Sequence, residues 1–227
     1  IRVYKEIGYD GMLMPDHVYG PARAFASGML AGFGVETTFY RPEVDEAQMA
    51  ALMRPNTKVV YTESPGSHTF EVQDVPAIAR AAHAGGAKVF MDNTWGIHHF
   101  QPFAHGVDVS IQAATKYLAG HSDVLIGSIT VNNDADWQIL HAAGRTLGQY
   151  ASPDDCWLTL RGIRTMAVRL QAQMDSALQV AHWLRQQPEV AQVLHPGLPG
   201  APGHDLWRRD FTGACSLFGV EFKPSFT

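Results

Sequence analysis

Cysteine and charge are scarce in this chain, and long apolar runs are missing. Cys156 and Cys215 are its two cysteines. They lie far apart and form no Cys-x-x-Cys pair, which argues against a disulfide framework and predicts buried thiols in a reducing compartment, the cytoplasm. Charged residues make up 17% of the 227 positions and the net charge is -5. No Lys/Arg cluster stands out, so neither nucleic acid nor an anionic membrane is expected as a partner. No apolar stretch reaches the roughly 18 residues of a membrane-spanning helix. Also lacking are a Walker loop, a G-x-G-x-x-G turn, a G-x-S-x-G elbow and an H-E-x-x-H helix. The eleven histidines, among them His98, His99, His105 and His121 near Asp108, have no zinc-ligand spacing, so no metal is expected. No signal peptide is visible, and Ile1 is not an initiator Met, so a longer protein is expected.

What is present is 46% hydrophobic, enough to bury one large core. After an unassigned opening stretch to Gly11, alternation and punctuation predict a strand at 12–14 and a helix over 21–33, with Pro at its first turn and Gly34 past its end. A strand follows at 35–40, a helix at 43–53, a strand at 58–62, a helix at 75–84 and a strand at 87–91. Repeated β-α alternation implies an α/β fold, a mostly parallel sheet with helices on both faces, and a ligand crevice outside the carboxyl ends of the strands. Strands at 107–111 and 124–131 flank Lys116 and predict a lysine pinned between buried strands. Helix is expected from 153 to about 185, broken near Arg161-Gly162. Its apolar stripe from Trp157 to Leu184 suits core or subunit packing. Strands at 189–195 and 214–222 close the chain.

Burial lowers the pKa of an amine and frees its lone pair, which suits Lys116 to attack a carbonyl carbon; an ion-paired or snorkelling lysine is the alternative. Asp92, at the end of its strand, reads either as a turn residue or as a partner for a pyridine nitrogen. Tyr19 is either a core tyrosine or a ring-stacking acid-base group. Thr115 is either a phosphate donor or a backbone cap.

Four blocks in order, Glu63-Ser-Pro-Gly-Ser67, Met91-Asp-Asn-Thr-Trp95, Ala113-Ala-Thr-Lys-Tyr-Leu-Ala-Gly-His-Ser-Asp123 and Leu160-Arg-Gly-Ile-Arg-Thr165, resemble the signatures of the Cys/Met-metabolism family of pyridoxal-phosphate enzymes. The resemblance implies a fold-type I, aminotransferase-like fold with a large cofactor domain over residues 1–160 and a linker helix with the start of a small domain over 161–227. It implies pyridoxal 5'-phosphate as cofactor. Lys116 is implied as the catalytic, Schiff-base lysine, Tyr19 as the second catalytic residue and ring stacker, Asp92 as the pyridinium partner, and Thr115 and Thr94 as further cofactor-binding residues. Ser67 and Trp95, in place of the Asn and Phe of γ-acting members, are implied substrate-side residues. The implied reaction is β-elimination from an amino acid such as L-cystathionine, in a homo-oligomer built as a dimer of dimers; a γ-acting relative and a non-catalytic protein that keeps the fold are the rival readings. Most of the family has Ser where Ala113 stands, so one phosphate hydroxyl is missing. The N-terminal arm, the Gly-rich phosphate loop and the carboxylate-gripping Arg of the family are likewise not found.

Overall fold

The computed structural model describes residues 11–226; the unassigned stretch to Asp10 lies outside them. Strand β1 (Gly11–Pro15) is buried along its whole length. Alternate side chains leave a strand on opposite faces. Leu13 therefore enters the main core with Val60, Val89 and Met91, while Met12 and Met14 join a second cluster with Val59 and Tyr61. Helix α1 (Gly20–Phe25), with Pro21 in its first turn, widens into a π-helical stretch over Ala26–Leu30 and covers the second cluster through Ala26 and Leu30.

Strand β2 (Glu36–Tyr40) is followed by α2 (Glu46–Leu52), whose start is fixed by a reciprocal capping box between Asp45 and Gln48. Strand β3 (Thr57–Glu63), α3 (Val75–Ala84, capped by Asp74), β4 (Lys88–Asp92) and β5 (Val109–Gln112) complete the alternation. Met49 of α2 and Val75, Ile78 and Ala82 of α3 pack into the main core. The sheet is thus covered by helices on both faces, as the sequence predicts.

The sheet order is β2-β1-β3-β4-β5-β6, parallel up to β5. β6 (Ser128–Val131) runs antiparallel to β5 at the edge. It is shorter than the 124–131 expected and is not buried on both faces: Ile129 is 61% exposed. An edge strand has a partner on one side only, so an apolar run there need not be core. The order reverses at β1, which lies between β2 and β3, and such a switch point opens a crevice at the carboxyl ends of its strands.

Helix α4 (Asp134–Thr146), capped by Asn133, was not legible in the sequence, because its apolar positions are few and Trp137 and Ile139 stay exposed. α5 (Pro153–Ile163) and α6 (Met166–Leu184) are separated at Arg164–Thr165, slightly later than expected. The apolar stripe divides there. Leu170 and Ala181 of α6 are buried, whereas Trp157 and Leu160 of α5 are exposed. Cys215 is buried, but α5 leaves Cys156 exposed, against the expectation of two buried thiols.

β7 (Val190–Leu194) pairs antiparallel with β8 (Gly219–Phe222), with α7 (His204–Asp210) between them. The last strand begins at Gly219 and not at 214, because Ala214 and Cys215 are buried in the main core together with Leu170 and Phe211. Among the described residues no helix is long and apolar enough to cross a membrane.

Candidate active site

Tyr19, Glu63, Asp92 and Lys116 follow or end β1, β3, β4 and β5, four neighbouring parallel strands, and so form one row along the carboxyl edge of the sheet. Glu63 and Asp92 are register partners, and Asp92 in turn lies opposite Ile111, shortly before Lys116. The sheet topology thereby brings together residues spread over roughly half the chain.

Lys116 sits in a tight turn just after β5. Its N–H donates to the Ala113 carbonyl at 2.9 Å, and its carbonyl accepts from Gly120 at 2.7 Å. The residue is exposed, and its ammonium forms no hydrogen bond or ion pair among the described residues. The expected burial between two strands is not found, because β5 ends at Gln112 and β6 begins only at Ser128.

The turn itself is held rigidly. Thr115 accepts the Ile126 N–H at 2.9 Å and donates its hydroxyl to the Ile126 carbonyl at 3.0 Å, so that hydroxyl acts as a backbone brace here. Arg169 of α6 donates through Nη2 to the carbonyls of Tyr117 and Gly162, at 3.0 and 2.9 Å.

Gly162 is required where α5 meets this turn. A Cβ there would stand 2.1 Å from the Ala119 carbonyl oxygen and 2.7 Å from that of Leu118, and both are backbone atoms that cannot step aside alone. Gly162→Ala is therefore expected to cost about 1–3 kcal/mol through overpacking, read as a lowered thermal midpoint together with a lower fraction of bound cofactor in the purified protein. An unchanged midpoint would mean that the helix and turn separate freely.

Asp92 accepts the Thr94 N–H at 2.9 Å, and Thr94 Oγ1 accepts the N–H of Ala113 at 2.8 Å. Thr94 thus ties the end of β4 to the lysine turn. Burial raises the Asp92 pKa, while its hydrogen bonds with Thr94 oppose the rise. No Lys, Arg or His pairs with Asp92 among the described residues. A carboxylate that is mostly removed from water and has no cation beside it fits a protonated pyridine nitrogen.

Tyr19 is 48% exposed, so it is no core residue. Its N–H donates to Glu63 Oε2 at 2.9 Å, and Ser67 donates its hydroxyl to Glu63 Oε1 at 2.5 Å. Burial, aided by the charge of Asp92, pushes the Glu63 carboxyl up to about 7 against the pull of Ser67 and Tyr19. The folded state then holds this proton more tightly than the unfolded chain does, so the contribution of Glu63 to stability falls as pH rises from about 4.5 to about 7. Behind Glu63, the buried His17 donates from Nε2 to the Glu63 carbonyl at 2.9 Å and meets Glu71 through Nδ1 at 3.2 Å. Its ring occupies the space a Cβ on Gly66 would need.

Trp95, expected on the substrate side, is buried. Its indole N–H donates to the Leu217 carbonyl at 3.0 Å, and its ring meets His195 and Phe211 edge-on. In this structure it joins the C-terminal segment to the sheet.

Reading the sequence missed three contributors. Glu63 was visible only as the first letter of a motif at a strand end. Arg169 was one charge on an amphipathic helix. His17 carried no signal at all.

Comparison with known proteins gives the family of the chain. Residues 5–226 match the family described as Cys/Met metabolism PLP-dependent enzyme. A putative cystathionine beta-lyase of Rhizobium johnstonii is 50% identical over 92% of this chain and 52% of its own length. Cystathionine beta-lyase MetC of Escherichia coli is 45% identical over 94% of this chain and 54% of its own. The crystal structure of cystathionine gamma-lyase from Lactobacillus plantarum complexed with L-serine superposes with a TM-score of 0.92 at 28% identity, covering 98% of this chain and 59% of that one. The chain therefore spans about half the length of the curated relatives it matches.

Proposed function

We propose, for a chain that belongs to the Cys/Met metabolism PLP-dependent enzyme family, that the whole protein is a carbon-sulfur β-lyase that cleaves L-cystathionine to homocysteine, pyruvate and ammonia. The observation that carries the reading is the row of Tyr19, Asp92 and Lys116 along one sheet edge. Pyridoxal phosphate, when bound, supplies an electron sink for the charge left at Cα.

The residues of the chain do the rest. Lys116, exposed and without a hydrogen bond or ion pair to its ammonium among the described residues, would hold the cofactor through a covalent bond; when the amino group of the substrate displaces it from that bond, its freed amine would take the Cα proton. Asp92 would keep the ring nitrogen protonated. Tyr19 would stack on the cofactor ring and, with Lys116, would return a proton to the departing thiolate. Thr94 holds the Asp92 and Lys116 segments in fixed relation.

The ring side of the cofactor fits these groups. On the phosphate side, Thr115 has committed its hydroxyl proton to Ile126 and Ala113 has no hydroxyl. We therefore assign the phosphate charge to donors supplied elsewhere in the longer protein or by a second copy in a homo-oligomer, because burying it without several donors costs several kcal/mol.

The γ-acting alternative draws on the Lactobacillus plantarum structure, which is 28% identical, whereas the β-lyase relatives named above are 50% and 45% identical. Product analysis with L-cystathionine tests the reading: pyruvate and homocysteine are expected, whereas 2-oxobutyrate and cysteine would overturn it in favour of γ-elimination.

A further inference from the structure

The Glu63 carboxylate bridges two parts of the crevice that no covalent link joins. Oε2 takes the backbone N–H of Tyr19, at the exit of β1, and Oε1 takes the hydroxyl of Ser67, in the loop after β3. A serine hydroxyl has one proton and two lone pairs. While Glu63 is ionised, that proton is held against Oε1, so Ser67 has only lone pairs left to offer a ligand. If Glu63 takes a proton, the Tyr19 N–H still claims Oε2 as an acceptor, so the new proton lies on Oε1. The bond to Ser67 then reverses direction, and Ser67 offers its own O–H outward.

We propose that Glu63 is a positioning residue that fixes the Tyr19 backbone and sets Ser67 as a hydrogen-bond acceptor for a donor group of the amino-acid substrate. This rests on the lyase reading above. The charge state of Glu63 is poised to change near neutrality. The groups that face it are Asp92 across the β3–β4 register, Tyr61 on its own strand, and His17 and Gln73, which bond its backbone carbonyl and N–H. Asp92 adds negative charge and so favours the proton on Glu63.

Glu63→Gln gives a direct test in the full-length holoenzyme. The amide oxygen can still accept from Tyr19, and the amide NH2 must then donate to Ser67, which mimics the protonated acid at every pH. In the wild type, KM for L-cystathionine is expected to fall about fivefold between pH 6 and 8 with an inflection near 7, the size of one hydrogen bond. Glu63→Gln should hold KM at its acid-side value throughout. Ser67→Ala should also abolish the inflection, and the double variant should match Ser67→Ala.

A second readout needs neither cofactor nor turnover. With ¹⁵N-tyrosine labelling, the Tyr19 amide, assigned by its loss in Tyr19→Phe, should titrate near pH 7 in the wild type and not in Glu63→Gln. Absence of that titration, or its survival in Glu63→Gln, would overturn the clamp. A KM inflection that survives in Glu63→Gln, or additive effects in the double variant, would overturn the role of Ser67. If the wild type forms no pyruvate while the Tyr19 amide still titrates, the lyase reading falls and the clamp stands.

Discussion

Lys116→Ala is expected to remove the covalent cofactor link and to lower turnover by at least about a thousandfold, roughly 4 kcal/mol of barrier, while leaving the fold unchanged. Two different features support the two halves of this expectation. The side chain is exposed and forms no hydrogen bond or ion pair among the described residues, so its loss leaves no cavity and no buried group unpaired. The turn that carries it is held by backbone and neighbouring contacts, from Ala113 to Gly120 and from Thr115 to Ile126, none of which needs the lysine amine. The chemistry has no such redundancy, since among the described residues no other lysine lies in the row formed by Tyr19, Glu63 and Asp92 at the sheet edge. Borohydride reduction followed by mass analysis reads the link, and circular dichroism reads the fold. A reduced cofactor adduct at normal stoichiometry in the variant would show that another residue carries the cofactor.

Asp92→Asn is expected to separate occupancy from rate. Asparagine has the same shape, and its side-chain oxygen can accept the Thr94 N–H as the aspartate does, so the end of β4 and its tie to Ala113 should persist. A neutral amide cannot hold a pyridine nitrogen protonated, and an unprotonated ring is a poorer sink for the charge left at Cα. Turnover should fall by about two to three orders of magnitude, roughly 3–4 kcal/mol, with cofactor still present by absorbance. The burial that raises the Asp92 carboxyl in the present structure is the reason the effect should be large: in a mostly water-excluded place the interaction with a ring cation is screened little. Turnover within about threefold of wild type, under about 1 kcal/mol, would remove Asp92 from this role.

The sequence by itself determined whatever is written in short-range pattern. The β-α alternation to Asp92, the helix at Val75–Ala84 and the separate positions of Tyr19, Asp92 and Lys116 are all legible, because period, capping and turn residues act over a few neighbours. Tertiary structure alone decided which of these residues meet and in what surroundings. Lys116 is exposed because the chain after β5 does not return to the sheet until Ser128, and no local signal sets where an edge strand begins. Trp95 is buried because Leu217, 122 positions away, accepts its indole N–H. Glu63 is raised to near-neutral titration by burial and Asp92 against the hydrogen bonds of Ser67 and Tyr19, and its bond to Tyr19 spans 44 positions. Burial and hydrogen-bond partnership are properties of pairs brought together by the sheet order, and one chain read residue by residue does not contain that order.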